Sequence, residues 1–253
     1  MPKGPGHCKN RVVDETHGPD VCCKHGWHDP KEIGWLTNPE MLGLRRIGFT
    51  CTIPAQLFQC VNLLSLDIVC TQLGGSLSTE IGWPPNLMFL WMFGDCFHGS
   101  HPSELGQLSQ LAWLSLRQNQ FDQNIPSESG LVVALEELSL SDNALGPAFP
   151  QESWTSTSNQ WPKIRQINLS ANQLSGTLPP SLFEHHNAST MPVPQSLTLS
   201  QNDFTGTIPE STQGKNMPKL QVLDVPHNVL AGTIPASLCG TLDDLQQVML
   251  QDN

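Results

Sequence analysis

The chain has 253 residues, of which 38% are hydrophobic and only 14% charged, and its formal net charge is −11. That is enough apolar material for a core in one large domain or two ordinary ones. The acidic balance, with no Lys/Arg run to interrupt it, argues against nucleic acid and anionic membrane surfaces as partners.

No apolar run reaches the roughly 18 residues of a membrane span, so no direct membrane insertion is expected in this segment. The opening decapeptide MPKGPGHCKN lacks the apolar stretch of a secretory leader, which was either removed or never present. Residues 1 to about 40 form a Cys-rich segment without internal repetition. Seven of the eight cysteines (Cys8, Cys22, Cys23, Cys51, Cys60, Cys70 and Cys96, with Cys239 apart) fall within the first 96 residues. That asymmetry reads as a stapled N-terminal end in an oxidising, extracytoplasmic compartment, whether secreted, cell-surface or organelle lumen. His7, Cys8, His17, Cys22, Cys23, His25 and His28 include zinc-type ligands. They contain no C-x-x-C, however, and the adjacent Cys22-Cys23 chelates poorly, so disulfides are expected rather than a metal.

From residue 41 to 253 the apolar positions recur in phase. The stretch LAWLSLRQNQFDQNIP, residues 111 to 126, is one copy: Leu111, Leu114 and Leu116, then Asn119, Phe121 and Ile125-Pro126. The position of that Ile returns at 53, 77, 101, 125 and 149, a step of 24, and then at 178, 208 and 234. About eight full copies and a truncated ninth are expected. Each L-x-L reads as a short strand whose leucines face inward at period 2. A single copy cannot bury that face, so copies must stack around a continuous core.

The pattern L-x-x-L-x-L-x-x-N-x-L-x-G-x-I-P resembles the plant-type leucine-rich repeat of receptor ectodomains and polygalacturonase-inhibitor-like proteins. The resemblance implies a right-handed α/β solenoid, with a parallel β-sheet on the concave face and turns or 3₁₀ segments on the convex face. It further implies an internal asparagine ladder, here Asn119, Asn143, Asn172, Asn202 and Asn228, since a buried amide must be fully hydrogen-bonded. PDVCCKHGWH resembles the cysteine-paired N-terminal cap of that family, although the usual continuation after its Trp is missing. Several positions depart from the pattern: Ile47 and Thr71 stand where Asn is expected, Cys51, Gln123 and Pro147 replace the Gly, and His101 replaces an Ile. QESWTSTSNQWPK and SLFEHHNASTMPVPQS are expected to bulge outward as loops.

Because the leucines face inward, their flanking residues line the concave face. Phe89, Trp91 and Phe93 come from one strand, and Trp113, Ser115 and Arg117 from the next. In a parallel sheet with strands about 4.8 Å apart, Phe89, Trp113 and Glu137 become neighbours. These aromatics, with Arg45, Arg117 and Glu137 as a polar rim, form the candidate ligand-binding patch; the competing reading is that the cap or a loop covers them, or that the register slips there and they are core. Further along, Asn168, Thr198 and Asp224 make a polar column suited to a peptide or glycan, or simply to solvent. The sequons at Asn168 and Asn187 are candidate glycosylation sites, Asn187 being the better because it falls in an expected loop.

No catalytic motif is present, and the adjacent Glu136-Glu137 should point to opposite sides of a strand. The expected function is non-catalytic recognition of a protein, peptide or glycan, without a cofactor. The alternative is a structural subunit of a larger assembly.

Overall fold

The computed structural model describes residues 39–45, 52–71, 73–125, 132–146, 162–180, 183, 194–210, 220–239 and 245–253. The Cys-rich segment, Asn187 and the two expected loops lie outside these residues, apart from isolated positions at their margins.

Among the described residues, nine parallel strands form one sheet in strict chain order. They are Met41–Arg45, Ser65–Val69, Phe89–Phe93, Trp113–Ser115, Glu137–Ser139, Gln166–Asn168, Ser196–Thr198, Val222–Asp224 and Gln247–Met249. Each repeat contributes one strand, and the register never slips: Leu66, Leu90, Leu114, Leu138, Ile167, Leu197, Leu223 and Val248 align across it. All but the last of these are buried and belong to a single apolar cluster that runs the length of the solenoid. The opposite wall is supplied by Leu57, Phe58, Ile81 and Leu105, on the 3₁₀ segments Ala55–Gln59, Thr79–Gly82 and Ser103–Gln107. Phe97, Phe121 and Phe204 fill the space between the walls.

The chain turns tightly after each concave strand. Cys70, Gln118, Asp142, Ala171, Gln201, His227 and Asp252, each immediately before the ladder position, have φ between +53° and +57°. Gly94 takes the same place in the third copy, with φ +73°. Left-handed backbone costs a non-glycine residue about 1–2 kcal/mol, so something must hold these turns. The following asparagine does so. Asn202 Nδ2 donates to the carbonyls of Leu169 and Leu199 at 3.0 Å and of Ser200 at 3.2 Å, while its Oδ1 accepts from Leu174 N–H. Asn119, Asn143, Asn172 and Asn228 repeat this arrangement one layer at a time. Each side chain thereby ties its own turn to the neighbouring repeats.

Where the asparagine is missing, another pair does the work. Asp95 Oδ1 accepts from both the Thr71 N–H and the Thr71 Oγ1, at 2.5 and 2.8 Å, and Thr71 Oγ1 accepts from Leu73 N–H. Thr71 and Asp95 thereby join the second and third repeats without an asparagine.

Beyond the turns, the chain pairs again on the shoulder of the solenoid. Two three-stranded parallel sheets form there: Gly74–Gly75, Cys96–Gly99 and Gln120–Phe121, and then Ser175–Thr177, Asp203–Gly206 and Val229–Leu230. The sequence pattern leads one to expect turns or 3₁₀ segments outside the concave sheet, and these short strands add to them.

Candidate functional site

The site is built on the concave strands Phe89–Phe93, Trp113–Ser115 and Glu137–Ser139. In Phe89–Phe93 the alternation is complete: Leu90 and Met92 are fully buried, and Phe89, Trp91 and Phe93 face outward and are only partly covered. The register sets Phe89 beside Trp113 and Trp113 beside Glu137. The rings of Phe89, Trp91 and Trp113 touch one another. Phe89 and Trp113 meet edge to face with centroids 5.5 Å apart, Phe89 and Trp91 lie at 5.5 Å, and Trp91 and Trp113 at 6.1 Å. Contacts of this kind contribute about 0.5–1.5 kcal/mol each beyond the area they bury, which stiffens the cluster. Even so, Trp113 keeps 37% of its surface exposed. The described residues place nothing over it.

Arg117 follows the same strand and lays its guanidinium over the Phe93 ring, 4.3 Å from the centroid. The attraction between a cation and a ring face fixes the side chain without neutralising it. Neither Arg117 nor Glu137 makes an ion pair among the described residues. The polar neighbours behave differently. Arg45 is committed to Asp67, with Nε donating to Oδ2 at 2.7 Å, so it is not available as a rim group. Glu136, just before the strand Glu137–Ser139, lies 3.5 Å from Arg165.

Trp91, Phe93, Trp113, Ser115, Arg117, Glu137, Ser139 and Asn168 together line a groove of about 320 Å³. That is the lower end of the range for ligand pockets. At its far end Asn168 Oδ1 accepts from the N–H and Oγ of Ser170, at 3.0 and 2.7 Å. The Asn168 amide N–H groups have no hydrogen-bond partner among the described residues. The sequence places Asn168 in a polar column, and the register sets it beside Ser139, in the wall of the aromatic groove. Beyond it Thr198 and Asp224 continue in register. Burial pushes the Asp224 carboxyl above its ordinary pKa.

The remaining candidates separate from the groove. Among the described residues no group of three or more His, Cys, Asp or Glu could hold a metal ion, and no helix is long and apolar enough to cross a membrane. Cys60 is a buried thiol whose pKa burial raises, and Cys96 is an exposed one; neither is in a disulfide.

A family model described as Leucine Rich Repeat matches residues 163–184. Among solved structures, the plant peptide hormone receptor RGFR1 in complex with RGF2 is 28% identical with a TM-score of 0.73. The match covers 87% of this chain and 33% of the receptor. The fold is that of a plant-type leucine-rich-repeat solenoid.

The Arabidopsis receptor kinase HAESA, in complex with the peptide hormone IDA and the co-receptor SERK1, is 26% identical over 89% of this chain and 39% of the receptor, with a TM-score of 0.62. A plant ice-binding protein matches at 23% identity and a TM-score of 0.63, over 84% of this chain and 72% of that one, which shows the shared solenoid alone. The array thus spans about a third of the length of the first receptors it matches. No curated protein matches it by sequence.

Proposed function

We propose that this leucine-rich-repeat array is a non-catalytic recognition module, working outside the cytosol, that binds a protein or peptide in the aromatic groove of its concave face. One observation carries the reading: Phe89, Trp91 and Trp113 form a packed, partly exposed ring cluster in the groove, beside two charged residues that have no ion-pair partner among the described residues. Clustered exposed aromatics mark interfaces, because a monomer gains by covering them and the described residues leave these open. The similarity to receptors solved with RGF2 and IDA supports a peptide as the ligand class.

The test is photo-crosslinking in the source tissue, with benzoylphenylalanine in place of Trp113 and, in a second protein, in place of the exposed Thr205 on the shoulder. The expected result is a specific peptide or protein adduct at position 113 that is absent at 205. Equal labelling at both positions, or none at 113, would refute the concave-face assignment.

A further inference from the structure

The two charges in the groove sit at opposite ends of it. Glu137 is the register partner of Trp113, at the start of the strands, and Arg117 lies four residues beyond Trp113, past their end. With a rise of about 3.3 Å per residue and strands about 4.8 Å apart, the two Cα atoms are about 14 Å apart. Between them the groove offers Trp91, Trp113, the hydroxyls of Ser115 and Ser139, and the free amide N–H groups of Asn168. Arg117 is held by the Phe93 face and Glu137 is fixed on a strand, so both charges are in place before any ligand arrives. Burying either under a ligand without a counter-charge would be unfavourable. An uncharged glycan supplies none, and an acidic glycan that suits Arg117 meets repulsion at Glu137.

Resting on the peptide-binding reading, we propose that the groove selects an extended, dipolar peptide segment. Its acidic side chain pairs with Arg117, its basic side chain pairs with Glu137, and an apolar side chain between them packs on Trp91 and Trp113. An extended chain rises about 3.3 Å per residue, so an acid and a base four residues apart span about 13 Å, which matches the groove. Ser115, Ser139 and Asn168 then serve the peptide backbone, leaving the charges to set the register.

The test uses the full chain and pentapeptides blocked at both ends. The probes are Asp-Ala-Leu-Ala-Lys, its reverse Lys-Ala-Leu-Ala-Asp, and the neutral Asn-Ala-Leu-Ala-Gln, with cellohexaose as the glycan. Isothermal titration reads affinity in low and high salt. One dipolar order should bind about 25-fold tighter than the neutral peptide, about fivefold for each half-exposed charge pair. High salt should erase that margin. Arg117→Gln and Glu137→Gln should each remove about fivefold from the dipolar peptide and nothing from the neutral one. The exchanged variant, Arg117→Glu with Glu137→Arg, should reverse which order is preferred.

Equal binding of dipolar and neutral peptides, lost on Trp113→Ala, would overturn this inference and leave the peptide-binding reading standing. Binding of cellohexaose alone, or of no peptide up to millimolar concentration, would overturn both. Unchanged thermal unfolding of the Gln variants confirms that they are folded.

Discussion

His101 stands where the repeat calls for isoleucine, and that exchange makes the stability of the array depend on pH. The imidazole is 4% exposed, stacks on Phe121 with centroids 4.3 Å apart, and neither ring nitrogen finds a hydrogen-bond partner among the described residues. Burial lowers its pKa from 6.5 to about 4. Below pH 6.5 the unfolded chain takes up a proton that the folded one refuses, so stability is complete above 6.5 and falls until about pH 4. Each pH unit in that window costs at most about 1.4 kcal/mol, so the loss from pH 7 to 5 is about 2 kcal/mol and the total about 3 kcal/mol. His101→Leu removes this dependence. It also removes the orphaned imidazole nitrogens, whose burial costs about 1–3 kcal/mol, and should therefore be at least as stable at pH 7. The assay is urea denaturation of both proteins at pH 7, 6 and 5. Other titrating groups are common to the two proteins, so the wild type should lose about 2 kcal/mol more than the variant between pH 7 and 5. Parallel pH profiles would refute the argument, because they would mean the imidazole reaches water or a partner when protonated.

Three further substitutions probe the scaffold. Asn202→Ala strips one donor site from three carbonyls and one acceptor from Leu174 N–H in a buried position, and calorimetry should show a loss of about 3 kcal/mol. Gly146→Ala would drive a Cβ into the Gln173 carbonyl oxygen, where only backbone can yield. It should cost about 2–3 kcal/mol by urea titration, and a neutral result would mean the repeats slide apart easily. Ala171→Gly should stabilise by about 0.5–1 kcal/mol in the same titration, since relief of the left-handed turn exceeds the added freedom of the unfolded chain.

The repeat length, the inward leucines, the strand register and the juxtaposition of Phe89, Trp113 and Glu137 are determined by the sequence alone. They follow from a side-chain period of two repeated every 24 to 30 residues, and that information lies within each copy. Only the tertiary structure decides what depends on contacts between copies. The shoulder sheets arise because Gly74–Gly75 and Ser175–Thr177 find partners one repeat away, although segments that short carry no strand signature of their own. Thr71 and Asp95 replace a missing asparagine by meeting across two repeats. The rim is settled the same way. Arg45 and Arg117 look equivalent in the sequence, but Arg45 has Asp67 within reach on the next strand and is neutralised, whereas Arg117 has a phenylalanine and keeps its charge. Period places a side chain on a face; what stands beside it in the next turn of the solenoid decides whether it remains available to a ligand.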